Sequence, residues 1–550
     1  MSTIRRTGVR LAPILACVVF VAILAPYHDV VPFWDAREYA ECVVNAAERG
    51  YDPLRLNCAG HPTLLYMTLL WVGQAISPGS TSALLVVNAL LGCLAIFSFH
   101  RIARRLIPVE ERGSSLLPGL TTLAFALHPI FLAGAAFLNP DYGVVVFFLT
   151  AAAFLLEGRF AGAVLAGTFA VWSKQQGVVV YTLFVSLFAF FHLLAAEGPW
   201  RRTVASSKRL LWLLLPTVSF ALYPILKHYR LIGLPFFEAR SGAAGLLASA
   251  LSVGSHRVLL GYLILIFVLN VAWLPSLISL AGFAKWLVDV RFRVVSAFRG
   301  RLAVSEVLRD RLVVTLGFVL ATLVLTRFQT YLNSRYFLPL YPLLLLCTLV
   351  GIHELTGNRA IQGLAMGAVC LVFSLSIWRT TDPVSRAIFG TFEFGDHEML
   401  RMTSLTGECC GYGRDQLVYS LEFAQFHYVM DQMLPALTAA PRPPAVVWPG
   451  VNWNLFGPVD RSSGRRTLRR TGTFRFEAIS SIPLVRGQLN LDRLLLLEFP
   501  NFVEESPLRF LLPRYVITSL DWYGSSGYRA AVIQLEAKPV KPPATSPDGR

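Results

Sequence analysis

The chain has 550 residues, of which 55% are hydrophobic and only 15% charged, and its net charge is +16. Soluble domains carry about 25% charged residues, so an ordinary water-soluble globule is excluded and a solvent other than water must account for the deficit. The basic excess does not call for nucleic acid, because Arg and Lys gather in short segments between apolar runs, as they do in the cytoplasmic loops of membrane proteins.

Apolar runs of about 18–20 residues recur over the first two thirds of the chain, each long enough to cross a hydrocarbon core of ~30 Å. The first, Leu11–Tyr27, follows Arg5, Arg6 and Arg10. It reads as a cleaved signal peptide or as an uncleaved helix. No A-x-A cleavage site follows and more spans come after, so an uncleaved first helix with a cytoplasmic N-terminus is expected.

Residues 28–60 then form the first external loop, which contains Phe33-Trp34-Asp35-Ala36-Arg37-Glu38-Tyr39. On a helix starting near Asp35, Glu38 and Tyr39 fall three and four positions on and share its face. A carboxylate held among aromatics in a partly dry site suits general-base work. The alternative is a solvated acidic helix, which is the reading for Glu41, Glu48 and Asp52. Cys42 and Cys58 lie in the same loop. They are either two unrelated thiols or a bond closing about 15 residues.

The next apolar stretch, within residues 61–77, is short and opens on His61-Pro62. If it crossed the bilayer, Arg101, Arg104 and Arg105 would lie outside, so the charge rule makes it an interfacial helix on the outer surface. His61 has no second histidine at ligand spacing, and the eight cysteines give no CxxC. Neither a metal nor a cofactor is expected, and neither a P-loop nor a GxGxxG fingerprint is present.

Further spans are expected near Ser82–Phe99, Leu116–Phe137, Val144–Leu156, Ala161–Ser173, Gly177–Ala195, Leu210–Leu226, Val258–Ala281, Leu312–Thr326, Phe337–Leu355 and Ala360–Ile377. With the first they make about eleven, an odd number that leaves the tail outside. Three polar residues fall at outer mouths of these spans. Asp141, in Leu138-Asn139-Pro140-Asp141-Tyr142, is either a second functional acid or simply a first-turn carboxylate favoured by the helix dipole after Pro140. Lys174 marks a hairpin between two spans, and Arg335 precedes Tyr336 and another span. These cations either snorkel to headgroups or hold a lipid phosphate.

The tail, residues 379–550, is more polar and shows short β-like runs at Ala445–Trp448, Leu494–Phe499, Tyr515–Ser519 and Ala530–Leu535. It is expected to form an external mixed α/β domain ending in a disordered Pro-rich stub.

Taken in order, several of these motifs resemble the GT-C glycosyltransferases, in particular the protein O-mannosyltransferase and lipid A aminoarabinose-transferase branch. The matching pieces are Trp34-Asp35 through Glu38-Tyr39, His61-Pro62-Thr63-Leu64-Leu65-Tyr66, Asn139-Pro140-Asp141, the helix running to Lys174, and Arg335-Tyr336-Phe337-Leu338-Pro339-Leu340-Tyr341-Pro342. His61 departs from the family, whose members often place another residue before the proline, and the tail carries no family signature. The resemblance implies a polytopic helical membrane domain over residues 1–378. It also implies a polyprenyl-phosphate sugar donor and a lipid, glycan or protein acceptor, with catalysis on the outer face of what is expected to be a bacterial inner membrane. Asp35 takes the place of the catalytic base and Asp141 that of a second external acid, with Glu38 beside Asp35 as a third catalytic candidate. Lys174, Arg335 and Tyr336 fall where the donor phosphate is held, and Trp34, Tyr39 and His61 line the substrate. A transporter or flippase is the rival reading. It would favour symmetric repeats and helices broken at the midplane, whereas no internal repeat is found and the candidate groups gather at one face.

Overall fold

A computed structural model describes residues 2–32, 35–50, 64–108, 111, 116–195, 210–221, 256–269, 272–298, 305–328, 334–378, 384, 387, 390–394, 397–400, 420–421, 424–438, 443–447, 458–462, 466–468, 473–475, 479–499, 508–524 and 529–539. These residues fall into two compact units. The first is Met1–Gly390 with Leu400–Cys409 and Asp415–Glu422; the second is Thr391–Met399, Cys410–Arg414 and Phe423–Arg550.

The first unit is a helical membrane protein. Its helices are α1 (Ser2–Leu24), α2 (Asp35–Glu48), α3 (Leu64–Ile76), α4 (Thr81–Arg105), α5 (Leu117–Ala126), α6 (Pro129–Phe137), α7 (Pro140–Leu156), α8 (Phe160–Val171) and α9 (Gln175–Ala195). They continue as α10 (Leu215–Ala221), α11 (His256–Phe267), α12 (Trp273–Phe298), α13 (Glu306–Phe328), α14 (Leu340–Leu355) and α15 (Arg359–Ser376). Among the described residues, Thr81–Arg105, Gln175–Leu194 and Arg359–Ser376 are each long and apolar enough to cross a membrane. The α5–α6 pair, bent by 45°, is apolar enough when taken together and forms either a broken fourth span or a re-entrant loop. Shorter apolar helices include Leu11–Tyr27, Pro140–Leu156 and Leu340–Leu355.

Two differences from the sequence reading have local causes. The stretch Val258–Ala281, read as one span, is two helices, α11 and α12, separated at residues 268–272. Pro275 lies in the first turn of α12, where its missing N–H costs nothing, but its ring would clash with the carbonyl four residues earlier had one helix run through. Likewise α5 gives way to α6 at Leu127-His128, just before Pro129.

Helix α7 lies at the centre of this unit, with nearly every side chain buried, and packs on α4, α8 and α9. Close approach depends on small residues. A Cβ on Gly92 of α4 would stand 2.4 Å from both the Phe20 ring and the Tyr142 hydroxyl. In that space Phe131 packs against Phe20 at 5.4 Å and Tyr142 at 5.2 Å.

The second unit contains a five-stranded sheet in the order β6-β3-β7-β9-β8. Its strands are β3 (Ala445–Val447), β6 (Ile479–Ser480), β7 (Arg493–Glu498), β8 (Tyr515–Tyr523) and β9 (Ala530–Ala537). β1 (Thr391–Phe394) with β2 (His397–Leu400), and β4 (Pro458–Asp460) with β5 (Thr473–Arg475), form two-stranded sheets. β3 runs parallel to β6 and β7, with Val446 opposite Ile479 and Leu496, whereas β9 is antiparallel to β7 and β8, with Ile533 opposite Leu496 and Leu520. The core of this unit gathers Val446, Leu494, Leu496, Ile533 and Leu535 with Leu484 and Leu511. The last two come from the short helices α17 (Ser481–Val485) and α18 (Leu508–Leu511). Helix α16 (Ala424–Thr438) packs on β8 and β9.

Candidate active site

The site begins with the backbone between α6 and α7. Leu138 is the one non-glycine residue with positive φ among the described residues, at φ 53. A left-handed leucine costs about 1–2 kcal/mol, and here it turns the chain sharply into Asn139-Pro140. Pro140 is the first residue of α7 and Asp141 lies in its first turn. Both the helix dipole and the unsatisfied N–H groups there favour a carboxylate.

The partner of Asp141 comes from 33 residues further on. Lys174 occupies the turn between α8 and α9, and the two helices can meet there because residue 177 is glycine: a Cβ would stand 2.0 Å from the Ala170 carbonyl oxygen. Lys174 Nζ donates to both carboxylate oxygens of Asp141, at 2.8 and 2.9 Å, and both residues are buried. The two charges that the sequence assigned to separate roles form one ion pair.

Tyr336 brings in the third charge. It lies in a short 3-10 segment, Ser334–Phe337, and Lys174 Nζ sits 4.6 Å from its ring centroid. The Arg335 guanidinium carbon is 5.2 Å from the same ring, and one Arg335 nitrogen donates to the Tyr336 hydroxyl at 3.3 Å. Cation–π contacts of this kind are worth about 0.5–2 kcal/mol, more as water is excluded. One aromatic ring thus carries two cations, one of them clamped by a buried carboxylate.

Behind this cluster lies a polar hub absent from the sequence reading. Asn88, fully buried in α4, accepts from the Tyr66 hydroxyl at 2.9 Å and donates to the Ala135 carbonyl at 2.8 Å, and its own carbonyl accepts from the Tyr142 hydroxyl at 3.0 Å. It ties α3, α4, α6 and α7 together beside Asp141. An asparagine inside an otherwise apolar span was the signal available, since a buried amide needs partners.

Helix α2 opens at Asp35, as expected, but the Asp35 side chain, Trp34 and His61 lie outside the described residues. Tyr39 is buried whereas Glu38 is exposed, so these two neighbours face different surroundings. Glu41 corrects the sequence reading. Instead of being solvated it is 7% exposed and accepts from Arg37 Nε at 2.6 Å, with Arg37 itself 1% exposed. The four-residue spacing permits this pair, but the pattern of an acidic loop helix did not distinguish a buried face from a wet one. Cys42 is disulfide-bonded, which removes the reading of it as an unrelated thiol; Cys58, the partner considered in the sequence, lies outside the described residues. Cys17, Cys93, Cys347 and Cys370 are free. No group of three or more His, Cys, Asp or Glu able to hold a metal occurs among the described residues.

No family model matches the chain, and no curated protein matches it either. Solved structures do. The chain is similar to ArnT, a lipid A aminoarabinose transferase, from Cupriavidus metallidurans in the apo state, with 15% identity, a TM-score of 0.46, and coverage of 94% of this chain and 97% of that one. The same protein bound to undecaprenyl phosphate gives 14% identity and a TM-score of 0.45 over the same shares. The archaeal oligosaccharyltransferase AglB from Archaeoglobus fulgidus, in complex with an inhibitory peptide and a dolichol-phosphate, gives 15% identity and a TM-score of 0.41, covering 67% of this chain and 55% of that one. These structural neighbours are GT-C glycosyltransferases.

Proposed function

We propose that the chain is a membrane glycosyltransferase that moves a sugar from a polyprenyl-phosphate donor to an acceptor hydroxyl. The carrying observation is the ring of Tyr336 with Lys174 and Arg335 upon it. Two fixed cations at a helix mouth suit a lipid phosphate, and Arg335 can offer it two parallel N–H donors.

In this reading the acceptor oxygen attacks the anomeric carbon while the bond from that carbon to the phosphate oxygen breaks, inverting the centre. The acceptor proton passes to Asp35, and the bond's electron pair leaves with the phosphate. Lys174 and Arg335 stabilise the charge that grows on the departing oxygen, which is where preorganised electrostatics act most strongly. Asp141 works through Lys174 as a positioning residue, holding the ammonium over the ring. Tyr39 and, by their places in the sequence, Trp34 and His61 are proposed to line the substrate, with Glu38 at the rim. The reaction is placed on the extracytoplasmic face. A disulfide at Cys42 supports this, because such bonds persist in oxidising compartments.

The test uses the purified full-length protein in detergent with a polyprenyl-phosphate sugar and a panel of lipid, glycan and protein acceptors. Asp35→Asn is nearly isosteric and is expected to lower turnover by about 10²-fold or more. Wild-type turnover in this variant would falsify the assignment of the base. Loss of donor binding with an unchanged chemical step would make Asp35 a binding residue.

A further inference from the structure

The left-handed Leu138 needs a hold from outside its own segment. A non-glycine residue in that region costs free energy and persists only where its surroundings over-determine it. Here one residue of another helix grips the chain on both sides of the turn. Ala135 lies in the last turn of α6, where carbonyls run out of N–H partners within the helix. Asn88 Nδ2 reaches across from α4 and donates to the Ala135 carbonyl at 2.8 Å, so it caps α6 with a side chain. Four residues beyond Leu138, the Tyr142 hydroxyl donates to the backbone carbonyl of the same Asn88 at 3.0 Å. Asp141 stands between these two anchor points, and Asn88, Ala135, Asp141 and Tyr142 are all buried.

The Asn88 amide is locked in one orientation. The Ala135 carbonyl can only accept, so Nδ2 must face it and Oδ1 must face Tyr66, whose hydroxyl then donates at 2.9 Å. Tyr66 in turn lies against the first turn of α7, since a Cβ on Gly143 would stand 2.7 Å from its ring. From that turn the Asp141 carboxylate takes two bonds from Lys174 Nζ, at 2.8 and 2.9 Å, and the ammonium stands 4.6 Å from the centroid of the Tyr336 ring. A shift of the Leu138–Asp141 turn therefore draws the ammonium with it. An apolar side chain at position 88 would fill the same space and release the α6 end of that turn.

We propose that Asn88 is a positioning residue for the donor phosphate, acting on Lys174 through the Asp141 turn. The inference rests on the reading of Lys174 as a phosphate ligand. Its test titrates the purified full-length protein in detergent with undecaprenyl phosphate and, in parallel, with undecaprenol, which lacks the phosphate. Asn88→Leu is expected to weaken undecaprenyl phosphate by about tenfold, the lower end of what losing an orienting partner costs a bound-ion site, while undecaprenol binds as before. Tyr142→Phe removes only a hydroxyl and is expected to weaken the phosphate lipid by about threefold, the scale of one neutral hydrogen bond. In the Asp141→Asn, Lys174→Met background the ammonium is gone, and neither substitution should weaken binding further. A purely structural role would reduce the number of binding sites at unchanged Kd, and that result would overturn the proposal. So would an unchanged Kd in Asn88→Leu or, if that variant does not fold, in Tyr142→Phe. Equal losses for undecaprenol, or a further loss in the background without Lys174, would overturn it as well. Wild-type affinity for undecaprenyl phosphate in that background itself would remove Lys174 from the phosphate site, and the inference would fall with it.

Discussion

Asp141 and Lys174 show how far single residues could be understood from their neighbours in sequence. Each stood out as a charge at the end of an apolar run, and each had a bland alternative, a first-turn carboxylate favoured by the helix dipole for one and snorkelling for the other. Neither alternative includes their ion pair, because the residues between them, 142–173, form the rest of α7 and all of α8, whose packing no local pattern encodes. A buried pair is costly to break and cheap to replace as a whole. Asp141→Asn is therefore expected to destabilise by about 3–5 kcal/mol through loss of the buried ion pair, whereas Asp141→Asn combined with Lys174→Met should recover much of that loss. Thermal unfolding of the four proteins in detergent gives the coupling energy directly. If Lys174 serves the donor, the double variant regains stability without regaining turnover; if the pair is purely structural, both return together. Glu41 obeys the same rule. Glu41→Gln removes the buried ion pair with Arg37 and is expected to cost about 3–5 kcal/mol, where a solvated carboxylate would have cost almost nothing. A melting temperature equal to wild type would restore the solvated reading.

At the scale of elements, apolar length located most helices of the first unit, while alternation and β-branched runs located β3, β7, β8 and β9. What remained hidden were the joints. The bend at Leu127-His128 and the break before α12 come from Pro129 and Pro275, whose local effect apolar length alone does not register, whereas the left-handed Leu138 depends on which segments pack side by side, a tertiary property. Leu138 also shows opposing effects that magnitudes can rank. Leu138→Gly removes a backbone penalty of about 1–2 kcal/mol but also deletes a fully buried leucine, worth about 2–5 kcal/mol. The variant should be less stable than wild type, and a gain in stability would show that the left-handed turn stores more strain than its side chain returns. Gly143 tests packing from the other direction. A Cβ there would lie 2.7 Å from the Tyr66 ring and 3.2 Å from Ser173 Oγ. Tyr66 cannot retreat without giving up its bond to Asn88, so Gly143→Ala is expected to destabilise by about 1–3 kcal/mol and to disturb the Asp141 turn two residues away.

Across the whole first unit, charge is arranged in two layers joined by an uncharged stretch of α7. Asp141 stands in the first turn of that helix and Glu157 just past its end. Sixteen residues at 1.5 Å per residue place them about 24 Å apart, close to the hydrocarbon thickness of ~30 Å once side chains reach outward. Around Glu157 lies the second layer. Arg101 pairs with Glu157, Arg105 and Arg309 with the fully buried Asp310 at 2.7 and 2.8 Å, and Arg311 with Glu354, while Lys285 donates to the Glu354 carbonyl. The sequence supplied the cations of this layer through the charge rule but not the acids that neutralise them, which come from other helices. Arginine and lysine are the more numerous here, and by the positive-inside rule we propose this as the cytoplasmic layer and the Lys174–Arg335 layer as the outer one. The expectation is concrete. A reporter active only outside the cytoplasm, fused after Arg105, should be silent, and the same reporter fused after Lys538 should be active. Equal signals from the two fusions would overturn the threading. They would also move the proposed chemistry to the face where disulfides are reduced and where the Cys42 bond would not persist.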